Sequence, residues 1–132
     1  MAATESKSRI WIARTLTGLA VAFLVFDTVM KLLKLTPAVE GTASLGYPAS
    51  SVFDIGLLEA ICVAAFLVPR TRILGAILLT GYFGGAIATH VRLANPLFTH
   101  ILFPVYIAAM IWGGQFLLDA RVRALVSPRA RA

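Results

Sequence analysis

Residues 73–91 read ILGAILLTGYFGGAIATHV, an apolar run without Asp, Glu, Lys or Arg. Three further apolar stretches occupy residues 10–33, 52–68 and about 97–118. A helix that spans a bilayer needs about 20 mostly apolar residues, with a range of roughly 17–25, and all four stretches satisfy this length. Hydrophobic residues make up 59% of the 132-residue chain, and its mean hydropathy is +0.86, which is too apolar for a soluble globule. The sequence therefore predicts an all-α integral membrane protein.

Short connections between these stretches favour a single domain, residues 1–132, built as a four-helix transmembrane bundle with up-down-up-down topology. We expect helices at about 10–35, 52–68, 73–91 and 97–118, with tails at 1–8 and 119–132. Pro37 ends the first helix and Pro69 ends the second. The longest connection, residues 36–51, is expected to be a loop with an aromatic turn at interface depth in residues 45–48.

Basic residues are distributed unequally between the two ends of this bundle, although the net charge is +6. Only Lys31, Lys34 and Arg92 fall on one side. The other side carries Lys7, Arg9, Arg14, Arg70, Arg72, Arg121, Arg123, Arg129 and Arg131. Cytoplasmic loops of membrane proteins are enriched in Lys and Arg, so this asymmetry predicts that both termini are cytoplasmic. The uneven distribution of basic residues orients the chain in the lipid bilayer, which is its expected partner. No nucleic-acid partner is needed to explain the positive charge.

The ionisable residues inside the apolar stretches fall at one end of each stretch. In the predicted topology all of them gather in one half of the membrane: Asp27, Lys31, Asp54, Glu59, His90, Arg92 and His100. An ionisable group in hydrocarbon costs roughly 3 kcal/mol by insertion scales, so such groups usually face a bundle interior or a wet cavity. This gathering is the main functional clue in the sequence.

Glu59 lies about 10 Å below the membrane interface, since it follows the start of its helix by about seven residues at 1.5 Å each. A carboxyl at that depth is either paired with a cation or neutral. One interpretation is a buried ion pair with Arg92 or Lys31 that holds helices together, and the other is a proton-exchanging carboxyl facing a cavity. Asp27 and Lys31 are four residues apart on one helix face and are expected to pair.

His90 and His100 flank a short outer connection and are expected at the same depth. They are either interfacial histidines or a pair that exchanges protons with a ligand such as a quinone, because imidazole titrates near neutrality. Tyr82 shares a helix face with Thr89 and is expected either to pack or to line the cavity deeper down. Haem ligation by the two histidines, or a zinc site with a carboxylate, is conceivable in geometry, but we assign no metal ligand.

Gly81 and Gly85 form a GxxxG pattern in the third stretch, which is rich in small residues. Such a stripe lets helix backbones approach closely in lipid. We expect it to pack within the bundle, with a homodimer or a docked partner protein as the alternative. Cys62 is the single cysteine, which excludes an intramolecular thiol relay. The chain also contains no Walker, GxGxxG, GxSxG, HExxH or CxxC pattern.

Residues 69–92, PRTRILGAILLTGYFGGAIATHVR, resemble the signature of the DoxX-like membrane proteins. Supporting elements are Asp27…Lys31-Leu32, Leu45-Gly46-Tyr47-Pro48, Gly56…Glu59, Phe103-Pro104 and Trp112-Gly113-Gly114. The resemblance covers roughly residues 26–119. It implies a four-helix fold in a bacterial plasma membrane. Because the broader DoxX group is linked to thiosulfate:quinone oxidoreduction and to membrane redox complexes, it also implies quinone-linked redox work.

Three functional hypotheses follow from these residues. In the first, a redox component holds a quinone or similar apolar ligand, Glu59 and His90 exchange protons, and Arg92 and Lys31 stabilise a developing oxyanion. Its ligand-binding residues are Asp27, Lys31, Tyr82, Arg92 and His100. In the second, the protein is a non-enzymatic accessory subunit whose charges only hold the bundle together. In the third, an isomerase or hydratase uses the same carboxylates on a lipophilic substrate, so enzymatic activity stays open.

Overall fold

The computed structural model of the chain describes residues 2–127, and this part contains helices but no strand. The helices are α1 (Ala2–Leu32), α2 (Thr36–Ser44), α3 (Ser51–Leu67), α4 (Arg72–Arg92), α5 (Phe103–Leu118) and α6 (Ala120–Val126). A 3-10 turn, Pro69–Thr71, joins α3 to α4, and a π-helical turn, Leu97–Ile101, precedes α5. The predicted all-α class is confirmed. The predicted tail residues 128–132, with Arg129 and Arg131, lie outside the described residues.

Four segments differ from the expectation drawn from the sequence, and one of them is the predicted tail at 119–132, which contains α6. The first helix begins at Ala2 instead of near residue 10. The connection expected to be a loop contains α2. Pro37 lies in the first turn of α2, where the backbone N–H that proline lacks would have no partner within the helix. The last long helix begins at Phe103, and Pro104 lies in its first turn for the same reason.

The four long helices surround a common core. Helix α1 packs against α3 and α5, and α4 packs against the same two helices, so α1 and α4 are diagonally opposite. Each long helix contributes one large, fully buried apolar side chain to this core: Leu24, Phe66, Leu79 and Ile111. The short helix α2 packs against α1 and α3.

Three helical stretches of the described residues are long and apolar enough to cross a membrane: Ser6–Leu32, Pro69–Arg92 and Leu97–Leu118. Helix α3 has 17 residues and is shorter than these, but it also exposes large apolar side chains, among them Leu57, Leu58 and Ile61. Exposed leucine, isoleucine and phenylalanine at this density are stable against lipid and not against water. The chain is therefore a multi-pass membrane protein whose outer surface contacts the bilayer.

Basic side chains bring the start of α1 and the end of α5 together. The Arg9 guanidinium donates to the Leu117 carbonyl at 3.2 Å, and Arg123 donates to the same carbonyl at 3.0 Å. The last carbonyls of a helix have no partner within it, so cationic donors at this position stabilise the helix end. Asp119 caps the N-terminus of α6, and hydrogen bonds from Arg121 hold the pKa of its carboxyl below the usual range.

Close approach between helices depends on other glycines than those of the GxxxG pattern. A Cβ at Gly75 would lie 2.2 Å from the Phe66 backbone nitrogen, whereas a Cβ at Gly81 or Gly85 would meet nothing within 4 Å. The expectation that Gly81 and Gly85 pack within the bundle is therefore wrong. The buried face of α4 contains Gly75, Ala76, Leu79 and Phe83, and at about 100° per residue positions 81 and 85 lie off this face.

Replacing Gly75 with alanine is expected to lower stability, because the new methyl group would overlap backbone atoms that cannot move independently of α3. We expect a loss of about 1–3 kcal/mol, measured as a lower thermal midpoint in detergent. The control is Gly18→Ala in α1, whose Cβ meets nothing within 4 Å. It should be neutral or stabilising by about 0.5–1 kcal/mol. Equal midpoints for the two variants would contradict the close α3–α4 approach.

Candidate functional site

A cavity of about 580 Å³ lies among the four long helices and extends beneath α2. Most of its wall is apolar and includes Phe23, Leu24, Leu58, Phe83, Phe103 and Ile107. The polar side chains in the wall are Asp27, Lys31, Thr42, Tyr47, Glu59, Tyr82, Thr89 and His90. A largely apolar cavity of this size with a few polar groups has the character of a small-molecule binding site.

Lys31 is the centre of the polar part of this wall. Its ammonium donates to Asp27 Oδ2, to Glu59 Oε2 at 2.9 Å and to the Tyr82 hydroxyl at 2.9 Å. The Tyr82 hydroxyl in turn donates to Glu59 Oε2 at 3.3 Å. We call these four residues the Lys31 cluster. It joins α1, α3 and α4, and it contains the predicted pairs of Asp27 with Lys31 and of Glu59 with Lys31.

The members of the Lys31 cluster differ in their access to solvent. The Glu59 side chain is fully buried (0% exposed), Lys31 is 15% exposed, and Asp27 is 33% exposed. Glu59 Oε2 accepts two hydrogen bonds, while Oε1 has no hydrogen-bond partner among the described residues. A buried carboxylate oxygen without a donor is costly, since the group has lost its water without a replacement.

The sequence positions Lys31 against α3 through two local features. Gly56 lies three residues before Glu59, and a Cβ at this position would be 2.7 Å from the Lys31 Cβ, so the α1 and α3 backbones approach closely here. Lys31 also lies in the last turn of α1, where the helix dipole stabilises a cation. Backbone approach and dipole together place the ammonium beside the Glu59 carboxylate.

His90 and His100 meet at a second cavity of about 500 Å³, which Asp27 and Lys31 also line. The two imidazole rings make an edge-to-face contact with centroids 5.6 Å apart. The Asn95 amide lies 2.8 Å from His90 Nδ1 and can donate to it, which leaves the other ring nitrogen of His90 to carry a proton. Because Asp27, Lys31 and His90 belong to both walls, the two cavities adjoin.

Two of the seven residues expected to gather lie elsewhere. The Arg92 guanidinium donates to the Leu45 carbonyl at 2.6 Å and packs against Gly46, which has a φ of +87°. Asp54 is exposed in the first turn of α3, a position that favours an acid. Neither side chain lines either of the two cavities. The alternative pairing of Glu59 with Arg92 is therefore wrong, because Arg92 holds the turn after α2 instead.

The residues that cover the cavity were not predicted from the sequence. Thr42 of α2, Leu45 and Tyr47 form part of the wall, and the Tyr47 hydroxyl is 2.9 Å from Thr89 Oγ1 on α4. The aromatic turn at residues 45–48 indicated interface depth but not that these residues face the cavity. Pro37 as a helix-starting residue was the available evidence for α2.

The cavity reaches the lipid-facing surface on one side. Leu58 of α3 and Leu78, Gly81 and Gly85 of α4 line it and are also exposed. Since neither glycine has a side chain, α4 leaves a gap where the GxxxG pattern lies. Among the side chains that the structure describes, those of residues 6–127, no three of His, Cys, Asp or Glu converge to hold a metal ion.

These features define a multi-pass, all-helical membrane protein with an ion-paired, mostly apolar cavity. Residues 15–114 match the model of the DoxX-like family, so the chain belongs to the DoxX-like family. The matched region contains the whole Lys31 cluster and both histidines. No curated protein and no solved structure matches the chain.

Replacing Lys31 with methionine is expected to destabilise the protein strongly, because it leaves the fully buried Glu59 carboxylate without its cation. Breaking a buried pair by removing one partner typically costs about 3–5 kcal/mol. The double variant Lys31→Met with Glu59→Gln should recover part of this loss, since no unpaired charge then remains at position 59. Thermal unfolding in detergent measures all three proteins.

The matched control is Lys34→Met, since Lys34 follows α1 and is exposed, with its ammonium 5.8 Å from the centre of the Phe53 ring. This exposed contact should contribute within about 1 kcal/mol. If Lys31→Met and Lys34→Met lower the midpoint equally, the Lys31 cluster does not stabilise the fold as described.

Proposed function

We propose that the protein binds an apolar small molecule with a polar head group, of which a quinone or quinol is an example, in the cavity beside the Lys31 cluster. The observation that carries this proposal is the combination of about 580 Å³ of mostly apolar space with one cluster of charged, hydrogen-bonded side chains, the Lys31 cluster. Apolar walls with a few convergent polar groups are the usual composition of ligand sites.

The opening between α3 and α4 supports a ligand that arrives from the bilayer. Leu58, Leu78, Gly81 and Gly85 border this opening on the lipid-facing surface. A lipid-soluble molecule is concentrated in the hydrocarbon region, so it would reach the cavity without crossing water. The polar α2 side, with the second cavity, would then receive protons from outside.

The chemistry that this arrangement suits is proton exchange with a bound head group. The Glu59 carboxylate would exchange a proton with the ligand, and Asp27 and His90 would connect it to the second cavity, where His100 lies. A partner protein would supply or remove electrons. This assignment keeps the proposed roles of Glu59 and His90, and it gives Lys31 and Tyr82 the task of holding Glu59 in place. Arg92 would stabilise the turn after α2.

The proposal includes a membrane topology. We propose that all four long helices cross the plasma membrane of a bacterium in an up-down-up-down order, with both termini in the cytoplasm. Helix α3 would span about 25 Å at 1.5 Å per residue, close to the hydrocarbon thickness of about 30 Å. The basic residues near the start of α1 and the end of α5 support this sidedness, since Arg9 and Arg123 meet at the same carbonyl.

A second candidate function has an observation in its favour. The Lys31 cluster joins three helices and would stabilise the fold even without a ligand. A stable fold without a ligand is what an accessory subunit of a membrane complex requires. An isomerase or hydratase on a lipophilic substrate would use the same cavity without electrons. A partner protein or a second copy at the Gly81 and Gly85 face would cover the opening that the ligand needs.

Gly81→Leu is expected to reduce ligand binding without unfolding the protein, because its side chain would fill the cavity opening while its Cβ meets open space. Mass spectrometry of molecules that co-purify after gentle solubilisation measures the bound ligand. We expect a stoichiometric apolar molecule in the native protein and a dissociation constant about tenfold higher in the variant, equivalent to about 1.4 kcal/mol of lost apolar contact. Less of the ligand should then survive purification.

The matched control is Gly84→Leu, which also has open space at its Cβ but does not belong to the cavity wall. It should retain the ligand. Equal ligand content in Gly81→Leu, Gly84→Leu and the native protein would remove the cavity as the binding site. A native protein that carries only bulk lipid would favour the accessory-subunit function.

The proposed topology predicts opposite labelling of two exposed positions in a Cys62→Ser background. Glu40→Cys in α2 should react with a membrane-impermeant maleimide in intact cells. Arg70→Cys, between α3 and α4, should react only after permeabilisation, because positively charged loops stay in the cytoplasm. Labelling of Arg70→Cys alone in intact cells would reverse the sidedness of the cavity.

A further inference from the structure

The donors of the Lys31 cluster are fully used. An ammonium has three N–H groups, and those of Lys31 meet the Asp27 carboxylate, Glu59 Oε2 and the Tyr82 oxygen. The single O–H of Tyr82 meets Glu59 Oε2. A carbonyl head group placed beside this cluster would therefore find no free donor unless one of these bonds broke.

The acceptors of the cluster are not fully used. Glu59 Oε1 is buried and has no partner in the part of the chain that the structure describes, and Glu59 forms part of the cavity wall. The Lys31 ammonium lies 2.9 Å from Oε2, and the carboxylate form of Glu59 can only accept hydrogen bonds. The group still available beside the cluster is thus an acceptor.

The other polar groups in the wall lie on the α2 side of the cavity. Thr89 donates to the Gly85 carbonyl at 2.8 Å, so the Tyr47 hydroxyl donates to Thr89 Oγ1 and is also used. Thr42 and His90 belong to both cavities, and a second polar group on the ligand would meet them there. Neither of these two side chains is hydrogen-bonded to Glu59.

Because the Lys31 cluster has an unpaired acceptor and no free donor, we infer that the ligand of the cavity carries a hydroxyl group that donates to Glu59 Oε1. The chemical class is an apolar alcohol or phenol, which includes the quinol form of a quinone. The inference rests on the proposed function, since it names the class of ligand for the same cavity. The hydroxyl would supply the one hydrogen bond that the buried carboxylate lacks.

The test compares three probes with the same alkyl chain: 4-nonylphenol, its methyl ether 4-nonylanisole, and 4-nonylcyclohexanone. Native mass spectrometry of the full chain in detergent measures the dissociation constant of each probe. The phenol should bind about ten- to a hundredfold more tightly than the ether or the ketone, which corresponds to one hydrogen bond to a charged group. Because the alkyl chain is the same in all three probes, the difference in binding comes from the head group.

Two variants locate this preference. Glu59→Gln replaces the charged acceptor with an amide, and the preference for the phenol should fall about tenfold. Asp54→Asn removes an exposed carboxylate from the same helix and should leave the preference unchanged. If Glu59→Gln does not fold, the comparison of the three probes on the native chain still decides the question.

The possible outcomes separate this inference from the proposed function. Equal or tighter binding of the ether or the ketone would overturn the hydroxyl requirement while leaving the cavity as an apolar ligand site. The same conclusion follows if Glu59→Gln binds with the native preference. Failure of every probe to bind, together with no co-purifying ligand, would overturn the proposed function as well.

Discussion

The Lys31 ammonium determines how the rest of this structure is arranged. A cation in hydrocarbon must be surrounded by acceptors, and Lys31 finds them on α1, α3 and α4. Its position in the last turn of α1 and the close approach at Gly56 bring the ammonium to the fully buried Glu59. Three helices therefore have a fixed relation at this point, and the cavity forms beside it.

Glycines, which have no side chain, shape the cavity together with the charged residues. The GxxxG pattern of α4 looks like a packing surface, but Gly81 and Gly85 border open space and the helix contacts run through a different face. The same pattern can therefore bring helices together or keep a space between them. Here the close contacts lie at Gly56, Gly75 and Gly114. A Cβ added at any of these positions would overlap an atom of the neighbouring helix.

Much of the site was predictable from positions along the apolar stretches. Asp27, Lys31, Glu59, Tyr82 and His90 line one cavity, and His100 joins the adjoining one, as alternating helices and the clustering at one end indicated. Arg92 was not predictable, because a long side chain at a helix end can turn toward the bundle or toward a loop. It turns to the Leu45 carbonyl, since α2 and its following turn lie there.

The sequence by itself determined the class of the protein and its polar end. Apolar length, the positions of ionisable residues and helix period are local properties, and they require no knowledge of which helix contacts which. Only the tertiary structure decided that Lys31, and not Arg92, pairs with Glu59, that α2 covers the cavity, and that Glu59 Oε1 has no partner among the described residues. These facts depend on helix rotation and on distances of a few ångströms between segments far apart in the chain, which a one-dimensional pattern does not contain.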